Sequence, residues 1–439
     1  MNSVVEAPFW LTGNFAPISE ENEQTNLVIE GAIPTDLNGR YFRTGPNPMS
    51  GPTDHWFLGD GMIHGIELSG GSANWFKSKL VQTPMLDMDP DTDFLTASLA
   101  SLENGLGNTH VIKHAGKILA LEELHFPTEL TAKLDTVGPY DYRGALNTGM
   151  TAHPKVCPKT GEMLFFAYGL VPPYITYHRV SAEGELVQSE VIEVGAATMA
   201  HDFNLTENYV IFMDLPLLFD MDKIAEGGIP LKWSDDYGAR LGVMPRNGSN
   251  AEVVWYDIDP CYVFHPLNAY ESDDNIVIDV CRFDHYLKPG VSIPPEQLTR
   301  WTIDTKTGVV AEKKLMEIPV EFPRVPDSLV GQQHRFGYMA HMSHKFPAGV
   351  GIVKYDFETD VVTEHSLPEG QYCGEPVFAP RDHSVSEDDG YLLFYTYDEA
   401  SNTSDFVVLD ASDIESAPVA RVKLGVRVPF GFHGSWMAD

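Results

Sequence analysis

An all-β chain folded as a β-propeller is what three features of this sequence predict. Short apolar runs punctuated by Gly, Asp and Asn recur from one end to the other. Several of these runs pair across a polar turn as hairpins. Four widely separated histidines each stand where such a run meets a turn, and only a fold that aims distant strands at one axis can gather them.

The runs are HVIKHAGKILAL (110–121), GEMLFFAYGL (161–170), NYVIFMDLP (208–216), DNIVIDVCRF (274–283), RWTIDTKTG (300–308), GIVKYDFET (351–359), DGYLLFYTYDE (389–399) and DFVVLDA (405–411). Strand, turn and strand follow in HRVSAEGELVQSEVIEV (178–194), TIDTKTGVVAEKKL (302–315) and KYDFETDVVTEHSL (354–367). Amphipathic helix is scarce, confined to pieces near Leu218–Ile224, which favours blades over a sandwich. At roughly 50 to 60 residues per blade plus long insertions, six or seven blades are feasible and seven is preferred. The chain is read as a single propeller domain over residues 1–439, with insertions at 41–110 and 214–250 forming a lid on one face.

Composition narrows the function. Hydrophobic residues make up 43% and charged residues 21%, the profile of a folded globular protein. A net charge of −34 repels phosphate polymers and gives no help on anionic membranes, so nucleic acid is not an expected partner. The acidic residues are spread through turns, as a solvated surface would have them. Four separated cysteines, Cys157, Cys261, Cys281 and Cys373, include no CxxC pair and are read as reduced and buried. The first residues show no secretory pattern and no window offers a membrane span, so a cytoplasmic location is expected.

The four histidines are His153 in MTAHP, His201 in TMAHDF, His265 in YVFHPLNAY and His433 in FGFHGSW. Neutral imidazole is the commonest metal ligand and suits iron, zinc and copper. A ligating histidine donates its second ring N–H to a carboxylate, which points to glutamates in similar apolar settings. Glu123 in ILALEELHFP, Glu321 in EIPVEFPR and Glu375 in YCGEPVFAPR are such residues, although each taken singly reads as a solvated turn residue. The pair His341 and His344 has a spacing that metal sites also use, and His55, His64, His110, His114 and His125 read as hydrogen-bonded structural or surface histidines. The GDG run, Gly59–Gly61, lacks the helix that a phosphate loop would need.

In NGRYFRTGPNP (38–48), HWFLGDGMIHG (55–65), GNTHVIKHAGKILALEE (107–123), MTAHP (150–154), MAHDF (199–203), FHPLNAY (264–270), GEPVFAPR (374–381) and FHGSW (432–436) the chain resembles the carotenoid cleavage oxygenase family over nearly its whole length. That family includes apocarotenoid oxygenases, stilbene-cleaving dioxygenases and the retinoid isomerase of the eye. The resemblance implies a seven-bladed β-propeller with a loop and helix dome over an axial metal site. It implies Fe(2+) held by His153, His201, His265 and His433, with Glu123, Glu321 and Glu375 bonded to the ligands. It also implies that Thr109 turns a methyl group toward an open iron position and that Phe57 lines the substrate cavity.

The implied reaction is oxidative cleavage of one C=C bond by O2, giving two carbonyl products from an apocarotenoid or related conjugated polyene, an apolar small molecule. Phenol-cleaving relatives typically carry Lys-Glu where this chain has Glu122 and Glu123, and a tyrosine where SLASLENGLGNT (98–109) has none. A carboxylate at Glu122 disfavours a phenolate, so a polyene is preferred to a stilbene, isoeugenol or vinylguaiacol. A non-oxidative isomerase, or a propeller that only binds metal or ligand, is a separate class of function that family membership leaves open. The segment DLPLLFDMDKIAEGGIPLKW (214–233) reads either as an entrance helix in peripheral contact with a membrane or as an ordinary lid. Sequence does not set the oligomeric state.

Overall fold

A computed structural model describes residues 8–49, 53, 55–89, 94–220, 223, 230–343 and 348–439. Its strands form four separate sheets and one continuous thirteen-stranded sheet that divides into three blades, which together make the seven blades of a β-propeller. Blade 1 holds Gly39–Pro46, Gly61–Ser69, Ser72–Leu80 and Asn22–Gln24. Blade 2 is His110–His114 to Thr136–Pro139, and blade 3 is Lys155–Val156 to Leu186–Ile192. Blade 4 joins Asn204–Leu205, Tyr209–Asp214, Ala239–Pro245 and Val254–Ile258.

Blade 5 holds Tyr262–Ser272, Asn275–Phe283, Gln297–Asp304 and the first part of Val310–Arg324. The rest of that long strand crosses into blade 6, where Val320 and Glu321 pair with His341 and Ala340. Blade 6 continues through Phe336–Met342, Gly349–Asp356 and Val361–Ser366, and blade 7 holds Val377–Pro380, Gly390–Asp398, Thr403–Asp410 and Ala420–Lys423. Two strands close the ring. Val28–Gly31 adds to Ala420–Lys423 of the last blade, and Gly434–Ala438 adds to Gly39–Pro46 of the first.

Burial follows the position of a strand within its blade. In blade 3 the run MLFFAY (163–168) is buried at every residue, because blades cover both of its faces. The outer strand LVQSEVI (186–192) alternates half-buried and exposed up to a buried Ile192, because solvent covers one face. Apolar clusters fill the space between successive blades, with Trp301, Tyr262 and Phe283 among those linking blades 4 and 5.

The stretches 41–110 and 214–250 are insertions only in part. Residues 41–80 carry three strands of blade 1, and Ala239–Pro245 is a strand of blade 4. Their alternation is weak because both faces are covered, so they read as loop. The dome itself comes from the short helical turns Trp56–Leu58 and Pro84–Asp87, the helix Phe94–Leu99, and a hairpin of Leu217–Phe219 with Leu231–Trp233. The helix expected near Leu218–Ile224 is therefore a strand at Leu217–Phe219, while 221, 222 and 224–229 lie outside the described residues. Leu217 is fully buried, so within 214–233 it cannot serve a membrane contact without unfolding the hairpin. Among the described residues no helix is long and apolar enough to cross a membrane.

Candidate metal centre

Inner strands begin at the propeller axis, and each carries one residue of the site there. His433 precedes the strand Gly434–Ala438, Thr109 precedes His110–His114, His153 precedes Lys155–Val156 and His201 precedes Asn204–Leu205. His265 lies in Tyr262–Ser272 at a break in register between Val263 and Pro266, which turns it out of the ladder. Glu321 and Glu375 hold the equivalent places in blades 6 and 7.

The four histidines offer nitrogen atoms that all lie within 4.8 Å of one another. His153 and His433 are buried, and the side chains of His201 and His265 are only 10% and 12% exposed. Carboxylates orient three of the rings. Glu321 lies 2.5 Å from His265 Nδ1, Glu375 lies 2.9 Å from His433 Nδ1, and Glu123 is in close contact with His201 Nδ1. With Nδ1–H turned outward, each Nε2 presents a lone pair inward. His201 Nε2 and His265 Nε2 face each other at 3.1 Å, and His153 Nε2 is buried without a partner. Opposed lone pairs at that distance repel, and a cation between them removes the repulsion, so the donor set fits a divalent metal.

Electrostatics favour the neutral form at three of the four histidines, and His201 is the exception. Burial, reinforced by the neighbouring histidines, holds His153 and His433 well below the usual imidazole range. Burial also lowers His265 to about 3. At His201 burial acts downward but the Glu123 carboxylate more than offsets it, raising the ring. Burial pushes Glu321 up to about 8.

Among the described residues no glutamate pairs with His153. Its Nδ1 faces Asp202 at 3.6 Å, and Asp202 is itself held by Lys155 at 2.8 Å. Sequence reading missed this carboxylate, although MAHDF sets it beside the next ligand. It also missed Tyr168, whose hydroxyl donates to Glu123.

Two cavities meet at the histidines. One, of about 310 Å³, lies on the dome side against His201, His265 and His433. Phe57, Phe264, Phe322 and Phe432 wall it together with Leu95, Leu99 and Leu231, so it suits an apolar molecule. Thr109 also lines it, and its hydroxyl donates to Asn108 Oδ1 at 2.9 Å, leaving the methyl group as the side chain's free end. The second cavity, of about 500 Å³, approaches His153, His265 and His433 from the opposite face, and its lining includes Lys113, Lys155 and Arg324 with Asp202, Asp327 and Glu375.

Glu122 opens onto the apolar cavity as well, but not as a lone carboxylate. His125 Nδ1 donates to it at 2.5 Å, and His125 Nε2 donates to the Ser98 carbonyl at 3.0 Å. Burial opposes charge on His125, but the Glu122 carboxylate more than offsets it and raises the ring, which favours an ion pair that is neutral overall. The repulsion of a phenolate expected from Glu122 is therefore offset; what stands is that among the described residues no lysine lines the cavity to attract one. Of the other histidines, His64 bonds Ser78, His110 the Ala152 carbonyl, His114 the Gly161 carbonyl and His341 Glu364, while His55 accepts from the Phe57 N–H and lines the apolar cavity. His344 lies outside the described residues. Gly61 is set by close packing, since a Cβ there would stand 2.4 Å from the Leu106 carbonyl oxygen. The four cysteines are free and buried.

Comparison with known proteins gives this geometry a relationship. The profile of the retinal pigment epithelial membrane protein family (RPE65) matches residues 15–438. A carotenoid cleavage oxygenase of Mycobacterium tuberculosis is 37% identical, with 97% of each chain covered. A carotenoid 9,10(9',10')-cleavage dioxygenase of Crocus sativus is 34% identical over 98% of this chain and 89% of its own. Among solved structures, a lignostilbene dioxygenase of Pseudomonas brassicacearum superposes with a TM-score of 0.89 at 29% identity, covering 99% of both chains. A variant of Synechocystis apocarotenoid oxygenase gives 0.89 at 26% identity, covering 98% of both. The chain belongs to the RPE65 and carotenoid cleavage oxygenase family.

Proposed function

We propose that this protein is a non-haem Fe(II) dioxygenase that cleaves a C=C bond of an apocarotenoid or related conjugated polyene. The observation that carries the reading is the meeting of four inward-facing imidazoles with an aromatic-walled cavity on one side only. His153, His201, His265 and His433 hold the iron, and Glu123, Glu321 and Glu375 keep three of them in the required tautomer. Bound Fe(II) supplies activation of O2, whose two oxygen atoms end on the two carbons of the broken bond.

The chain's own part is to bind and orient. Phe57, Phe264, Phe322 and Phe432 hold a flat polyene and keep water from the reacting bond. Thr109 presents a methyl group, which fills space without ligating. The dioxygenase names of the family relatives support the assignment, and the absence of a cation opposite Glu122 other than its own partner His125 supports a polyene. The likeness to a lignostilbene dioxygenase favours a phenolic alkene as the second reading.

The test gives Fe(II)-loaded protein apocarotenals and resveratrol side by side, following O2 uptake and product masses. Two aldehydes from the polyene with one O2 consumed bear the proposal out. Products from resveratrol alone transfer it to the phenolic reading, and an unchanged substrate mass without O2 uptake indicates an isomerase.

A further inference from the structure

The four histidines can be reached from both faces of the propeller, and the two approaches differ in chemistry. On the dome side a hydrated dication would have to pass walls that are mostly aromatic and aliphatic. The carboxylates there, Glu122, Glu123 and Glu321, are already engaged by His125, His201 and His265, so the ion would shed its water with little compensation. The opposite cavity runs from His153, His265 and His433 to residues open to solvent, among them Lys113, Asp327, Ser328 and Ala438. Its carboxylates are staged along that path. Asp327 is exposed at the mouth, while Glu375 and Asp202 stand beside His433 and His153 at 2.9 and 3.6 Å.

Each of these carboxylates is paired with a cation that can let it go. Arg324 bridges Asp327 at 3.3 Å and Glu375 at 3.4 Å, and Lys155 holds Asp202 at 2.8 Å. The arginine contacts are long and the lysine is a flexible point charge, so exchange of partners is cheap. The chain's net charge of −34 further concentrates cations around the protein.

We propose that the metal enters by this polar axial channel, past Asp327, Arg324 and Lys155, so that metal loading and substrate entry use opposite faces of the propeller. The proposal rests on the reading of the four histidines as metal ligands. It assigns to Asp327, Glu375 and Asp202 the transient replacement of the ion's water on the way in.

Charge placed at the channel mouth tests it. The native cysteines are all buried, so Ser328→Cys creates one accessible thiol, and Lys113→Cys supplies a second mouth position should the first disturb the fold. The thiol is modified with methanethiosulfonates carrying a trimethylammonium or a sulfonate group. Co(II) is then added to the metal-free full-length protein, and uptake is followed by visible absorption and by bound cobalt after a chelator quench. The cationic label should slow uptake roughly three- to tenfold relative to the anionic one, and a phosphine reductant should abolish the difference. The same labels on Leu99→Cys, at the apolar cavity, should leave the rate unchanged.

Uptake indifferent to charge at both mouth positions, or slowed from Leu99→Cys instead, overturns the channel. Failure of the metal reading looks different: the unlabelled protein then takes up no cobalt, or His265→Ala takes up as much.

Discussion

Glu321 lies 2.5 Å from His265 Nδ1 and reaches it from a strand shared by two blades. Val310–Arg324 leaves blade 5 after Pro319 and enters blade 6 at Val320, and its register shifts between Glu321 and Arg324, where Phe322 takes a left-handed φ of 54°. The break that ends one ladder thus aims the carboxylate at the axis, and His265 is turned toward it by a register break of its own. Glu321→Gln keeps the size of the side chain but offers His265 Nδ1–H a weaker acceptor. Metal affinity should fall about 10- to 100-fold, read by competition with a chromophoric chelator. Unchanged affinity would mean that backbone geometry alone orients the ring.

Thr109 should contribute to stability and not to ligation. Thr109→Val preserves shape but leaves Asn108 Oδ1, buried at 1% exposure, without its donor. The expected loss is about 1–2 kcal/mol in denaturant unfolding, with full metal stoichiometry retained. Loss of bound metal in this variant would show the hydroxyl to be a ligand.

The Glu122–His125 pair sets a pH window. Burial acts on both groups, yet each is shifted toward its charged form by the other: Glu122 lies below its ordinary 4.5 and His125 above its ordinary 6.5. The carboxylate's contribution is present above pH 4.5 and disappears as pH falls through its lowered value. The imidazole's contribution is present below pH 6.5 and disappears as pH rises through its raised value. Glu122→Gln should therefore destabilise most between those values, by about 2 kcal/mol, and progressively less at alkaline pH. A melting-temperature difference that stays flat from pH 5 to 9 would contradict the ion pair.

Glu296 makes the opposite case. It is 6% exposed, and burial, aided by the charge of Glu321, raises it to about 7 from an ordinary 4.5. The folded state then holds a proton that the unfolded chain has released, so stability declines as pH rises from 4.5 through 7. Metal-free Glu296→Gln should match the parent at pH 5 and exceed it by roughly 3 kcal/mol at pH 8. Equal stability at both values would place the carboxyl in contact with water.

Much of the site is legible in the chain because its parts sit at strand beginnings. MTAHP, TMAHDF, YVFHPLNAY and FGFHGSW each end an apolar run in a histidine or carry one near its middle, and EIPVEFPR and GEPVFAPR place a glutamate in the same way. Other relations have no local signature. The contact of Asp202 with His153 depends on two inner strands meeting at the axis, and that of Glu375 with His433 joins residues 58 positions apart. Blade 1 was hidden within 41–110 because its strands are covered on both faces and do not alternate.

Residue type and order alone pointed to the all-β class and the four imidazole donors, since hydrophobic period and donor chemistry are local properties of a chain, whereas the three glutamates stood out only through the resemblance to the family. Tertiary structure decided which carboxylate meets which ring, and that an apolar and a more polar cavity approach the histidines from opposite faces. Those are distances between residues far apart in sequence, and closure of the ring by Val28–Gly31 and Gly434–Ala438 is what sets them.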